Sequence, residues 1–97
     1  MPHYMVLINW TEQGARDAKS TVQRYDAAEA AGAKMGVTFK SFYWTMGAHD
    51  AVGIVEAADD ATVSRFILTV GAQGNIRTVT ARAYTRDEMS QIMKGMP

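Results

Sequence analysis

The residues that could do chemistry are few. The chain has two histidines, His3 and His49, and no cysteine. His49 lies in the stretch Gly47-Ala48-His49-Asp50, directly before a carboxylate and shortly after Tyr43-Trp44. An imidazole titrates near neutrality, and a neighbouring carboxylate can orient it for general acid–base work. His49, Asp50 and Tyr43 are therefore the catalytic candidates. Adjacent residues on a strand point to opposite faces, so His49 and Asp50 form a dyad only if a bulge intervenes. The competing reading is structural: Gly47 supplies a positive φ for a hairpin turn, and Asp50 hydrogen-bonds nearby backbone. A metal site would need both histidines plus carboxylates such as Asp50 or Glu56. No H-x-H or H-x₃-H spacing occurs, so no metal is expected.

A second set could bind rather than react. Trp10, Phe42, Tyr43, Trp44 and Tyr84 are aromatic, and aromatics build cores and subunit interfaces first of all. They can also wall an apolar pocket that carries a few polar groups. Asn9, Ser41, Thr78, Thr80 and Arg82 supply such groups within strands, where simple burial favours Val or Ile. Arg82 and Tyr84 share a face, which suits an anionic or aromatic ligand; Arg82 could equally pair with a carboxylate across a subunit interface. The ligand-binding candidates are Asn9, Tyr43, Trp44, His49, Asp50 and Arg82.

The elements that must position these residues follow from periodicity. The organising stretch is Ser41 to Glu56, two strands joined at a Gly47-Ala48 turn. Before it, His3 to Trp10 alternates Met5, Leu7 and Asn9 on one face with Tyr4, Val6, Ile8 and Trp10 on the other. A short helical piece near Thr11 to Ala18 precedes a main helix from Thr21 to Met35. Ser20-Thr21-Val22-Gln23 has the form of a capping box, and Gly36 is the stop. Strand two runs from Val37 to Met46, with Val37, Phe39, Ser41 and Tyr43 on one face and Phe42 and Trp44 on the other. Strand three runs from Asp50 to Ala57. Asp59-Asp60 caps a helix whose Val63, Phe66, Ile67 and Val70 recur at i, i+3, i+4 and i+7. Strand four covers Asn75 to Tyr84. Thr85-Arg86-Asp87-Glu88 is a second capping box, opening a last helix with Met89, Ile92 and Met93 on its apolar side.

The expected fold is therefore α+β: a single domain over residues 1–97, ferredoxin-like βαββαβ with a C-terminal helix, a four-stranded antiparallel sheet and two helices on one face. The first strand is apolar on both faces, so both need cover. Helices cover one; a second copy would cover the other, giving a two-fold dimer with a barrel-like space between the sheets.

Composition excludes several function classes. Lys plus Arg equals Asp plus Glu at 10 each, so there is no net field for nucleic acid or anionic membrane. The aromatic pattern of RNA-binding sheets is missing from the first and third strands. No apolar run approaches the ~20 residues of a membrane span. The first residues lack the basic region and cleavage site of a signal peptide, and the expected location is the cytoplasm. No phosphate loop or G-x-S-x-G is present, and no cofactor is expected.

At Gly47-Ala48-His49-Asp50 followed by AVGIVEAADD, the sequence resembles the GYD domain family. HYMVLINWTEQG and GNIRTVTARAYTRDE extend the resemblance to nearly the whole chain. The family motif runs Gly-x-Tyr-Asp; Gly47 and Asp50 match it, and His49 replaces the tyrosine. The resemblance implies a fold similar to the dimeric α+β barrels, which include cofactor-independent monooxygenases, isomerases, haem-dependent enzymes and ligand-binding modules. The hairpin also resembles that of the effector-binding domain of leucine-responsive-type regulators. Three functions are thus expected in order: a homo-oligomeric module binding a small apolar or aromatic metabolite, a cofactor-independent enzyme, and a structural or interaction protein without ligand.

Overall fold

The computed structural model describes all 97 residues. Strands β1 (His3–Trp10), β2 (Thr38–Trp44), β3 (Ala51–Glu56) and β4 (Ile76–Ala83) form one antiparallel sheet in the order β2-β3-β1-β4. Helices α1 (Glu12–Arg16), α2 (Thr21–Lys34) and α3 (Asp60–Gly71) lie in the crossovers, and α4 (Arg86–Lys94) follows β4. This is the ferredoxin-like arrangement, with β1 and β3 central and β2 and β4 at the edges.

The register decides which side chains share a face. Tyr4, Val6, Ile8 and Trp10 stand opposite Arg82, Thr80, Thr78 and Ile76 of β4. Tyr4, Val6 and Ile8 also stand opposite Val55, Gly53 and Ala51 of β3. These residues face α2 and α3. The core is built there: Tyr4, Val6, Ile8, Val37, Ala51, Val55, Ala57, Val63 and Phe66 are buried in one cluster. Val63 and Phe66 come from α3, whose apolar period needs a sheet to rest on. The other face of the sheet carries no element.

Local signals act as their chemistry requires. The Asp59 carboxylate accepts from the Thr62 amide and caps α3. Thr85 and Glu88 form the reciprocal capping box of α4. Tyr4 donates its hydroxyl to Asp60 Oδ1 at 2.6 Å, tying β1 to the start of α3. That bond to a carboxylate pushes the phenol up to about 12.

Three local expectations need correction. Ser20 does not cap α2: it follows a 3₁₀ turn (Ala18–Ser20) with φ −92° and ψ 7°, so its hydroxyl points back to Asp17 Oδ1 at 2.9 Å. Strand β2 does not alternate evenly. A bulge between Phe39 and Ser41 shifts the register, so Phe39 faces Val55 and Phe42 faces Gly53. Phe39, Phe42 and Trp44 therefore share the helix side, while Ser41 and Tyr43 turn to the open side. The hairpin is not a two-residue turn either. Thr45 to Asp50 form its loop, closed by Thr45 N–H donating to the Asp50 carbonyl at 2.9 Å. Gly47 sits there at φ +103°, a conformation that a side chain strains.

Candidate functional site

Of the catalytic candidates, His49 and Asp50 lie in a loop anchor. Asp50 N–H donates to the Ile8 carbonyl at 2.9 Å, beside the Ile8–Ala51 pair at which the β1–β3 register ends. Its own carbonyl is already engaged by Thr45. The Asp50 carboxylate accepts from the Trp10 amide, at 2.8 Å. A partly buried amide left without an acceptor costs stability, so a short acceptor side chain at this position has a backbone reason. Beside it, Asn9 donates to the Ala48 carbonyl at 2.9 Å, and its Oδ1 lies 2.9 Å from His49 Nδ1. Asn9, His49 and Asp50 thus come together, as one clamp holding the loop onto the end of β1. The imidazole is engaged by Asn9 and the carboxylate by Trp10.

The other candidates separate. Tyr43 lies on the open side of the sheet, 65% exposed. Arg82 is committed within its own chain: its guanidinium pairs with Glu88 at 3.0 Å, donates to the His3 carbonyl at 3.1 Å and stacks 4.7 Å over the Tyr84 ring. The bond from the Thr85 amide, with this arginine second, holds the Glu88 carboxyl down at about 2. Arg82 is an anchor for α4.

Of the six ligand-binding candidates, Trp44 is the one that lines the cavity beneath the helices. That cavity, about 80 Å³, lies between α2, α3 and the sheet. Its origin is visible in the packing of the two helices. At one end they close on each other: Gly32 of α2 approaches the Phe66 ring so nearly that a Cβ there would lie 3.3 Å from it. Toward Thr21 of α2 and Gln73 beyond α3, the space between them holds the cavity. Aromatic walls face it. Tyr25 of α2 packs on Phe42 with centroids 4.3 Å apart and edge-on to Phe39 at 5.4 Å and Trp44 at 5.7 Å. Ala28 of α2 lines it too, with Val6, Ile8, Trp10, Val70 and Ile76 among the rest of the apolar lining.

Polar groups at the cavity are mostly uncharged. Thr78 lies on the β4 wall, with Thr21, Gln73 and Asn75 around it. Trp44 Nε1 donates to Thr21 Oγ1 at 3.0 Å. Arg24 is the one charged lining residue, but its guanidinium donates to the backbone carbonyls of Asp17 at 2.6 Å and Gly14 at 3.2 Å. Those bonds fold the α1–α2 connection against the helix. Trp10, Phe42, Trp44 and Thr78 were visible in the sequence as pocket material. Tyr25, Phe39 and Asn75 were not, since the bulge at Lys40 is what brings both phenylalanines to the side of Tyr25.

The sequence that builds this loop, sheet and pair of helices matches a known domain. The sequence pattern of the GYD domain covers residues 4–93. The chain belongs to the GYD domain family. A Thermus thermophilus protein named "Glutamine synthetase and cystathionine beta-lyase binding protein" is 32% identical over 84 residues, which are 86% of this chain and 88% of that protein. The crystal structure of TTHA0845, also from Thermus thermophilus, superposes with a TM-score of 0.57 at 21% identity, covering 88% of this chain and 95% of that one. At that identity the likeness shows the fold alone. In this GYD chain the Asp50 of the motif is the residue that accepts the Trp10 amide, which gives the motif's last position a structural task.

Proposed function

We propose that this GYD protein is a homo-oligomeric binding module that holds a small, mostly apolar or aromatic, uncharged molecule in the wedge between α2, α3 and the sheet. The cavity carries this reading. Its walls are aromatic and aliphatic, its polar atoms are few, and its one cation is already engaged. Such a lining favours apolar surface and orients a ligand through one or two hydrogen bonds. A dry apolar cavity of ~150 Å³ accepts benzene. The wedge, at about 80 Å³, has room for part of a ring, with the remainder of the molecule emerging toward Thr21 and Gln73. The oligomer part of the reading rests on the open face of the sheet. Met5, Tyr43 and Val79 stand 38 to 65% exposed there. Around that apolar centre lie polar groups, with His3, Glu56 and Lys40 toward one end and Asn9, His49 and Arg77 toward the other. An apolar centre within a polar rim is the anatomy of a subunit interface. The reading takes the protein to work in the cytoplasm, in keeping with a chain that has no cysteine.

A thermal-shift screen of small aromatic and aliphatic compounds tests the site. The expected result is a compound that raises the melting temperature of the wild type but not of Ala28→Leu, which fills the cavity. Equal stabilisation of both proteins, or of neither, contradicts the site.

A second reading has its own support: the Thermus relative is named for binding two enzymes, and this chain leaves apolar surface open on the sheet and on α4. Here the module would dock other proteins. A cofactor-independent enzyme rests on fold analogy, with His49 and Asp50 also bonded within the loop anchor.

A further inference from the structure

Helix α4, like the open face of the sheet, has an apolar side with no cover from its own chain. Its nine residues are strongly amphipathic, and none is buried. Met89, Ile92 and Met93 stand 41, 43 and 48% exposed, at the i, i+3, i+4 spacing of one stripe. The helix packs along no strand or other helix. The molecule is consequently long: 51 Å against 31 and 18 Å, while an eight-residue strand spans only ~26 Å.

The helix is nevertheless held stiffly at its root. The capping box joins Thr85 and Glu88 in both directions, and Arg82 bonds to Glu88 and to the Ala83 carbonyl. A frayed tail would not need this fixing. The root lies where β4 ends and β1 begins, with Ala83 opposite His3. That is the end of the sheet, a rim shared by the open face and by the helix face, on which Arg82 stands beside Tyr4. An arm starting at that rim and reaching outward is placed to meet what covers the open face.

Area identifies the occupant. Four strands at ~4.8 Å spacing and about seven residues of ~3.3 Å each give a face of roughly 450 Å². A stable interface takes about 800 Å² from each partner. The face alone falls short, and the stripe of α4, ~14 Å long and ~10 Å wide, narrows the deficit by roughly 140 Å². In a two-fold pair the gain is made twice.

We infer that α4 is a dimerisation arm: its Met89–Ile92–Met93 stripe packs on a second copy of this chain, beside the sheet face that the same copy covers. The inference rests on the homo-oligomer reading above, and the experiment separates the two. The oligomer dissociation constant is measured by dilution with native mass spectrometry for the wild type, for Met89→Glu/Ile92→Glu, and for Ser90→Glu, which carries a charge on the polar side. The arm predicts at least a tenfold rise for the double variant, no change for Ser90→Glu, and unchanged strand and core signals by circular dichroism. Should the double variant fail to fold, Ile92→Ala gives the same readout with a rise of about threefold. A wild type that associates while the α4 variants match it within twofold overturns the arm and leaves the oligomer standing. A wild type that stays single at every concentration overturns both.

Discussion

One sheet presents two faces made of similar residues, and they end in opposite conditions. On the helix side, Tyr4, Val6 and Val55 are 0 to 3% exposed beneath α2 and α3. On the open side, neighbouring positions on the same strands carry Met5, Leu7, Val52 and Ile54, with Tyr43 and Val79 more than 60% exposed. Strand propensity does not distinguish the two sets, since both alternate with period two on the same backbone. The difference is cover alone. Burial of the first face is the work of one chain, and the apolar character of the second is left over after that chain has folded. An apolar patch that its own fold does not use is a site for something else.

That contrast can be broken by mutation. The largest effect belongs to Phe66→Ala on the helix side. It empties a buried ring at the point where α2 and α3 close, and about 3–5 kcal/mol of stability should be lost in chemical denaturation. Next comes Val79→Glu on the open side. It should leave unfolding of the separated chain within about 0.5 kcal/mol of wild type, yet weaken association by about 2 kcal/mol if Val79 sits at an interface centre. If Val79→Glu destabilises the dilute chain as much as Phe66→Ala, the two faces are not different in kind.

Asp50→Ala follows. It leaves the Trp10 amide without its acceptor at the end of β1, a loss of about 1–3 kcal/mol. Asp50→Asn, which keeps an acceptor oxygen, should recover most of it. His49→Ala removes only the contact to Asn9 and should cost less than about 1 kcal/mol, with no loss of ligand-induced stabilisation. A collapse of binding on His49→Ala would return the imidazole to the site.

The smallest effect is a pH dependence confined to α4. Glu88 is held at about 2 by the Thr85 amide first and Arg82 second, below its ordinary 4.5. A depressed carboxyl stabilises the folded form above its unfolded value and loses that contribution as pH falls toward the folded value. Amide resonances of α4 should therefore fray between about pH 4.5 and 2. Glu88→Gln should flatten that change. Fraying that is identical in Glu88→Gln assigns it to another group.

Much of the fold was legible because its signals are local and agree with one another. The apolar period of Val63, Phe66, Ile67 and Val70, the caps at Asp59 and Thr85, and the alternation of β1 each specify an element, and their order leaves few topologies. The site was legible only in pieces. The stretch Thr38-Phe39-Lys40-Ser41-Phe42 reads as unbroken alternation, and nothing in those residue types announces that Lys40 is the extra one. Once it bulges, Phe39 and Phe42 join Tyr25, and a wall appears that no sequence period contains. His49 and Asp50 drew attention because their types suit catalysis. The hydrogen bonds show what each side chain holds: the Asp50 carboxylate accepts the Trp10 amide, and His49 Nδ1 lies against Asn9 Oδ1. Such bonds join two segments about forty residues apart and are visible only after folding.

The open face is the hinge of this account, and sedimentation equilibrium of the untagged wild type at micromolar concentration addresses it most directly. The expected mass is a whole multiple, two or more, of the 10.6 kDa chain. A stable 10.6 kDa species across that range would contradict the account, because the exposed face would then have no second copy to meet.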